Sequence, residues 1–161
     1  MERFYFYEKN NEIIENIILS KDQIDELDPK RLIIYLEEKL KKNPKDQRGW
    51  LILARTCSVS GYLQKADLYF KKGLDIFPTD ENLLFDYALL KKNVNNFKSA
   101  LEILYKLKVI YPNNIKAREL ILDILVTMNS SDRAKKELND MMKIKGFNKN
   151  KILEFKKKYN L

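Results

Sequence analysis

A 34-residue period places the strongest constraint on what this sequence can fold into. Three kinds of residue recur in phase at this spacing: prolines, small alanines, and polar residues suited to capping a helix. They are Pro44, Pro78 and Pro112; Ala66, Ala100 and Ala134; and Asp46, Asp80 and Asn114. Because three independent residue classes share one spacing, the sequence predicts a structural repeat whose units bury their apolar faces by stacking on one another.

The segment Arg48–Pro78 predicts one pair of antiparallel helices. Gly61-Tyr62 marks a tight turn between them, and Pro78 ends the second helix because it lacks an N–H group and disfavours helical geometry at the residue before it. Asp80 then offers a side-chain oxygen to the first N–H groups of the next helix. The apolar residues at helical spacing are Trp50, Leu51, Leu53, Ala54 and Cys57 in the first helix, and Leu63, Ala66, Phe70, Leu74 and Phe77 in the second.

This pattern resembles the tetratricopeptide repeat, W-x2-L-G-x2-Y followed by A-x3-F and P. The first repeat supplies Trp50, Leu53, Ala54, Cys57, Ala66, Phe70 and Pro78, and the second supplies Leu84, Tyr87, Ala88, Ala100, Leu104 and Pro112. A weaker third supplies Arg118, Ile121, Leu122, Leu125, Ala134 and Leu138, with Gly146 where proline is expected. The resemblance implies an all-α fold, a right-handed solenoid of about three stacked antiparallel helix pairs with capping helices.

The repeat divides the chain into three expected parts. Residues 1–28 form an N-terminal segment or cap with a helix near Asn11–Ser20, residues 29–146 form the repeat domain, and residues 147–161 form a basic C-terminal helix or tail. The repeat domain is expected to open with a lone helix near Pro29–Lys42, the second half of an incomplete repeat. The remaining helices are expected as hairpins near Gln47–Asp75, Glu81–Ile110 and Ile115–Ile144, and as a single helix near Lys149–Tyr159.

The composition lacks residue types and motifs on which many enzymes depend. The chain has no histidine, one cysteine (Cys57) and four glycines. It therefore lacks a histidine general base, a histidine-containing metal site and a glycine-rich phosphate loop. We expect a protein that is not an enzyme, with no catalytic residue, metal or cofactor. Cys57 is expected to pack as a small hydrophobe and not to be reactive.

No stretch of the sequence is apolar enough for a membrane span, and the first residues, MERFYFYEKNNE, do not form a signal peptide. These features favour a soluble, cytoplasmic chain. Phe4–Tyr7 is a run of four aromatic residues with two possible roles: packing on the first helices, or docking in a groove until a partner displaces it.

A closer resemblance covers roughly Leu36–Leu90. A lone charged helix ends in Asn43-Pro44-x-Asp46, and Gly49-Trp50-Leu51, Leu53-Ala54-Arg55, Phe77-Pro78-x-Asp80 and Leu83-Leu84-x-Asp86-Tyr87-Ala88 follow it. This run is similar to the periplasmic repeat domain of the bacterial cytochrome c maturation component of the CcmI (CycH) type. The resemblance implies a chaperone that holds the C-terminal part of apocytochrome c for haem attachment, with apocytochrome c or haem-lyase components as partners. It also implies a periplasmic, inner-membrane-associated location for a longer chain of which this is a part.

Stacked repeats curve so that the first helix of each pair lines a concave face, where a partner peptide can bind. There Leu51, Phe85 and Leu89 would supply apolar contacts beside positively charged side chains. Such a surface suits an amphipathic or extended peptide with carboxylates, which arginine can grip bidentately. The predicted groove residues are Arg48, Leu51, Arg55, Asn82, Phe85, Leu89, Lys92, Lys116 and Glu119, with Ser58, Asp86 and Asp123 on the same faces.

Structural roles are the alternative for some groove residues. Phe85 and Leu89 could pack against the neighbouring helix, and Arg55 could be a solvated charge. Trp50, Ala54, Ala66, Tyr87 and Ala88 are expected in the core.

The net charge of +8 supports a second hypothesis. Lysines cluster near the C-terminus, and those of the last predicted helix are Lys149, Lys151, Lys156, Lys157 and Lys158. Such a cluster attracts nucleic acid or an anionic membrane. The sequence shows none of the motifs of a defined nucleic-acid-binding fold, so nucleic acid is not the expected main partner. The alternative function is a repeat scaffold whose basic tail binds a polyanion.

Overall fold

A computed structural model describes residues 28–144 and 149–159, without the side chains of Lys149, Lys151 and Ile152. Throughout these residues the chain forms α-helices and their connections, with no β-strand. They belong to two compact units, one ending at Pro78 and the other beginning at Thr79. The expected helix near Asn11–Ser20 and the aromatic run Phe4–Tyr7 lie outside the described residues.

The N-terminal unit contains three described helices, α1 (Pro29–Lys42), α2 (Gln47–Val59) and α3 (Leu63–Ile76). Helices α2 and α3 form a hairpin, and α1 packs on α2. The bounds confirm the lone helix and the first hairpin predicted from the sequence. The largest fully buried side chains of this unit are Leu36, Leu53 and Phe70. They come from all three helices, so the core lies where these helices meet.

The C-terminal unit contains α4 (Glu81–Asn93), α5 (Phe97–Ile110), α6 (Ile115–Thr127), α7 (Ser131–Met142) and α8 (Lys149–Tyr159). Helices α4 and α5 form one hairpin and α6 and α7 another, α5 packs on α6, and α7 packs on α8. These helices agree with the predicted second and third hairpins and the predicted final helix. Below, α2, α4 and α6 are called the first helices of their hairpins, and α3, α5 and α7 the second helices.

One cap begins every first helix. The side chains of Asp46, Asp80 and Asn114 accept backbone N–H bonds from Gly49 at 2.8 Å, from Leu83 at 2.6 Å and from Ala117 at 2.8 Å. Each bond satisfies an N–H group that has no partner within its helix, and such a cap stabilises a helix by about 1 kcal/mol. The polar residues that recur once per period therefore set where each first helix starts.

A left-handed residue ends every first helix. Gly61, Asn95 and Asn129 have φ of 79°, 59° and 54°, and each lies one period after the one before. In each turn the next residue donates its N–H five residues back at 2.8 Å, from Tyr62 to Cys57, from Asn96 to Lys91 and from Ser130 to Leu125. This is the Schellman cap, whose left-handed position favours glycine and then asparagine. The turn at Gly61 was predicted from the sequence, whereas the two asparagine turns were not.

The tryptophan of the first repeat joins two parts of the N-terminal unit. Its indole Nε1 donates to the carbonyl oxygen of Pro44 at 2.8 Å. The Trp50 ring also lies against Tyr69 of α3, with ring centroids 6.3 Å apart and ring planes tilted by 40°. The Tyr69 hydroxyl in turn donates to Glu37 of α1, which also accepts a 3.0 Å bond from Lys65. This chain of contacts holds α1, α2 and α3 together.

An ion pair replaces these aromatic rings two periods later. Arg118 and Glu137 occupy the positions of Trp50 and Tyr69 in the third repeat. The Arg118 Nε donates to the carbonyl oxygen of Pro112 at 3.0 Å, as the indole does to Pro44. The Arg118 Nη1 donates to Glu137 at 2.8 Å, and Lys108 also contacts that carboxylate. Both partners are buried, so the third repeat fills the same place with charges that compensate each other.

Two expectations about individual side chains differ from the structure. Leu63, expected on the apolar stripe of its helix, is 43% exposed. The reason is its place as the first residue of α3, directly after the exposed Gly61-Tyr62 turn, where few neighbours surround it. Tyr69 was not predicted in the core, but it is buried and its ring lies against Trp50.

The expected core residues Trp50, Ala54, Ala66, Tyr87 and Ala88 are buried. Cys57 is also buried, and its burial raises the pKa of its thiol to about 11. This agrees with the expectation that Cys57 packs and does not react, since the thiolate is the nucleophile.

Replacing Asn95 by alanine is expected to lower the free energy of unfolding by about 1 kcal/mol, because a Cβ-bearing residue other than Asn is strained at this left-handed φ. Replacing it by glycine should leave stability unchanged or slightly raised. Urea unfolding of the two variants measures the difference. Asn93→Ala, at the exposed end of α4, is the matched control. Equal stability of the alanine and glycine variants would contradict the left-handed cap.

Replacing Glu137 by glutamine is expected to lower the free energy of unfolding by about 3 kcal/mol, because it leaves the buried Arg118 guanidinium without its counter-charge. The double variant Arg118→Leu/Glu137→Ile copies Leu84 and Ile103, which occupy these positions in the second repeat. It should recover most of the loss, since an apolar pair needs no compensating charge. Thermal and urea unfolding of both variants provide the test. A double variant as unstable as the single one would show that the charges themselves are required.

The Cys57 thiol should react with a disulfide reagent on the order of 100-fold more slowly than a free cysteine at pH 8, because a pKa of about 11 leaves roughly 0.1% thiolate against roughly 24% for a free thiol. The same reaction in 6 M guanidinium chloride should reach the free-thiol rate. A native-state rate equal to the unfolded rate would mean that Cys57 is accessible.

Candidate peptide-binding surface

The start of α2 is packed tightly on one side, so the accessible residues of this helix lie on its other side. A Cβ atom on Gly49 would lie 2.9 Å from both the Asp46 carboxylate and a methyl group of Leu40, so glycine permits the close approach of the cap and α1. With Trp50 buried next to it, the groove residues of α2 fall on the opposite side. Arg48 is exposed, and Leu51 and Arg55 are half-buried.

Helix α4 presents its groove residues in the same way. Leu84, Tyr87 and Ala88 are buried in the hairpin. Between these positions, Phe85 and Leu89 are half-buried, so part of each apolar side chain stays in contact with solvent. Asn82, at the start of the helix, is exposed. Two half-exposed apolar side chains one turn apart form a short apolar strip on α4.

Charged residues dominate the corresponding face of α6. Lys116 is exposed, while Glu119 and Asp123 are half-buried. Asp123 forms an ion pair with Lys92 of α4 and accepts a 3.3 Å hydrogen bond from the Tyr159 hydroxyl of α8. The Lys92 ammonium was expected to flank the apolar groove residues. It instead forms an ion pair with Asp123, a groove residue of α6.

The Lys92–Asp123 pair and the contribution of Tyr159 were not predicted. Their partners lie 31 and 36 residues apart, and neither spacing matches the period of the repeat. Lys92 has no charged counterpart in the other repeats, where Ser58 and Val126 occupy its position. The sequence thus contained no repeating signal for this contact.

Equivalent groove positions change their chemistry from repeat to repeat. One position carries Leu51, Phe85 and Glu119, and another carries Arg55, Leu89 and Asp123. The second series runs from basic through apolar to acidic. Each first helix therefore presents different chemical groups at its equivalent positions.

The lysines of the second hypothesis lie on α8. Lys156, Lys157 and Lys158 are exposed, and Lys149 and Lys151 belong to the first turn of the same helix. The Lys158 ammonium lies 4.7 Å from the centroid of the Tyr159 ring. The pKa of Lys158 is raised, first by its hydrogen bond with Tyr159 and then by the negative charges of Asp123 and Glu119. The basic end of α8 therefore lies near the acidic groove residues of α6.

The part of the chain that the structure describes contains no cluster of three His, Cys, Asp or Glu side chains that could hold a metal ion. Within residues 28–144 and 149–159, no helix has the length and apolar character needed to cross a membrane.

Solved structures with the same fold are tetratricopeptide-repeat proteins. A crystal structure of MamA is similar with a TM-score of 0.68 at 18% identity, covering 96% of this chain and 86% of that one. A tetratricopeptide repeat protein from Parabacteroides merdae ATCC 43184 is similar with a TM-score of 0.70 at 18% identity, covering 96% of this chain and 61% of that one. These similarities confirm the predicted all-α fold of the tetratricopeptide-repeat class.

A third similar structure, YrrB, is described as a TPR protein with an unusual peptide-binding site. Its TM-score is 0.59 at 16% identity, over 70% of this chain and 58% of YrrB. This chain thus spans less than two thirds of YrrB and of the Parabacteroides protein. No protein-family model matches the sequence, and no curated protein matches it closely.

Proposed function

We propose that this protein is a non-catalytic interaction module that binds a peptide or an unfolded segment through the groove residues of its first helices. The proposal is based on the partial burial of Leu51, Phe85 and Leu89. These are apolar side chains on helices whose other faces form the core. Such side chains can bury further apolar area only in a complex, and each contributes about 25 cal/mol per Å² that it buries. The similarity to a peptide-binding repeat protein supports the same class of function.

The chemistry of the groove residues indicates the kind of peptide. Arg48 and Arg55 flank Leu51 on α2, and a guanidinium pairs with a carboxylate through two parallel hydrogen bonds. On α4 the apolar strip of Phe85 and Leu89 suits apolar side chains of the ligand. We therefore propose that α2 binds an apolar residue next to a carboxylate and that α4 binds apolar residues, each in a segment of extended or amphipathic conformation.

A more specific candidate partner is the C-terminal part of haem-free cytochrome c, presented to haem-lyase components. This proposal rests on the sequence similarity of Leu36–Leu90 to the CcmI-type maturation component. The structurally similar proteins do not bear on it, since their similarity extends to the fold alone.

A polyanion is the second candidate partner, and the exposure of Lys156, Lys157 and Lys158 on α8 favours it. Nucleic acid or an anionic membrane would be bound by charge alone in this case. Such binding weakens steeply with salt, because each neutralised phosphate releases counterions.

Calorimetric titration separates the two candidates. The chain is titrated with haem-free cytochrome c, with the C-terminal peptide of that protein, and with a single-stranded oligonucleotide, each at 50 mM and 300 mM salt. Micromolar peptide binding that changes little with salt supports the groove. Binding of the oligonucleotide alone, lost at 300 mM salt, supports the polyanion. Absence of binding to cytochrome c would remove the maturation role and leave the general module.

The double variant Leu51→Ala/Phe85→Ala is expected to weaken peptide binding at least tenfold, because it removes apolar contacts worth more than about 1.4 kcal/mol. Binding of the oligonucleotide should not change. The matched control is Val59→Ala/Val109→Ala, which truncates apolar residues that are 69% and 82% exposed and outside the groove residues. Peptide affinity equal in the two double variants would contradict the assignment of the groove.

A further inference from the structure

Helix α8 continues the period of the first helices. In the C-terminal unit the first helices begin at Glu81 and Ile115, and α8 begins at Lys149, one more period along the chain. From the sequence this helix was expected to be a basic tail or cap. Its starting position is instead that of the first helix of a fourth repeat.

The contacts of α8 follow the same order. Helix α8 contacts α7 and α6 packs on α5, so each contacts the second helix that precedes it, although the contact of α8 is the smaller one. Lys92 of α4 contacts one carboxylate oxygen of Asp123 in α6, and the Tyr159 hydroxyl of α8 donates to the other oxygen. Asp123 thus connects three helices in succession. The Tyr159 contact thus brings the end of α8 to α6, which itself packs on α4.

The period then assigns groove positions on α8. Leu153 follows Phe85 and Glu119 at one groove position, and Lys157 follows Leu89 and Asp123 at the other. Leu153 is 69% exposed, among the highest values for a large apolar side chain in the described residues. Lys157 is exposed one turn further along the helix, on the same face. Among the described residues, no acidic side chain forms an ion pair with Lys157.

We propose that Leu153 and Lys157 extend the peptide-binding surface of the C-terminal unit onto α8, where they bind an apolar side chain followed by a carboxylate of the ligand. The inference rests on the proposed function and names the ligand chemistry at one end of that surface. The ion pair with Lys92 neutralises the charge of the acidic groove residue Asp123, which reduces its repulsion of a carboxylate bound beside it. Lys157 supplies the positive charge.

This assignment divides the lysines of α8 by role. Lys157 occupies a groove position, whereas Lys156 occupies the position of Ala88 and Leu122, which are fully buried in their hairpins. Lys156 therefore projects away from the groove position although it is equally charged and adjacent. The pair provides a matched comparison, since a polyanion attracted by charge alone would not distinguish the two.

The test is a selection of random 12-residue peptides displayed on phage against the full chain and three variants, Leu153→Ala, Lys157→Glu and Lys156→Glu. Peptides selected by the unaltered chain are expected to carry Asp or Glu near an apolar residue. Lys157→Glu should replace this acidic preference by Lys or Arg, while Lys156→Glu should retain it. In fluorescence anisotropy, Leu153→Ala should bind the best selected peptide at least fivefold more weakly. Circular dichroism confirms that each variant is folded.

The outcomes separate this inference from the proposed function. If peptides bind and their preference changes equally in Lys156→Glu and Lys157→Glu, or in neither, the extension onto α8 is wrong while the peptide-binding module stands. If the unaltered chain selects no peptide, the proposed function fails and the extension fails with it. A shift confined to Lys157→Glu, together with the loss in Leu153→Ala, supports both.

Discussion

A small, fully buried residue in the second helix is the constraint on which each hairpin depends. Ala66, Ala100 and Ala134 recur once in every repeat and are fully buried. A larger side chain at any of these fully buried positions would overpack the core and push the neighbouring helices apart. Because a hairpin alone leaves one face uncovered, the helices α1 and α5 pack on the first helices of the hairpins that follow them.

Around this constraint, the repeats satisfy the same structural requirement with different chemistry. The carbonyl oxygen of the repeat's proline accepts a bond from an indole in one repeat and from a guanidinium in another. The partner across the hairpin changes accordingly, from the ring of Tyr69 to the carboxylate of Glu137. A buried guanidinium is tolerated only with a compensating charge, so the two positions must change together. The departure of the third repeat from the tetratricopeptide pattern is therefore a paired substitution.

The accessible face of the first helices has no such requirement, and its residues vary freely between repeats. The position of Leu51 carries Phe85 and then Glu119, and the next turn carries Arg55, Leu89 and Asp123. Stability depends on the buried face, and recognition is the role that we propose for the accessible one. In the proposed continuation onto α8, one lysine of the basic tail becomes a groove residue. The position of a lysine on the helix then matters more for binding than the net charge.

The sequence by itself determined the helices, their caps and their order, because these depend on neighbours within a few residues. Asp46 and Asp80 cap the helices they precede, Pro78 ends the helix before it, and the period fixes the spacing of the hairpins. Even Asn95 and Asn129 could have been found by extending the period from Gly61. The groove positions also follow from the period, although their role in binding remains a prediction. Only the tertiary structure decided which side chains meet: Arg118 with Glu137, Lys92 with Asp123, and Tyr159 with the same Asp123. These partners lie 19, 31 and 36 residues apart, and their contacts depend on how helices pack, which no local pattern specifies.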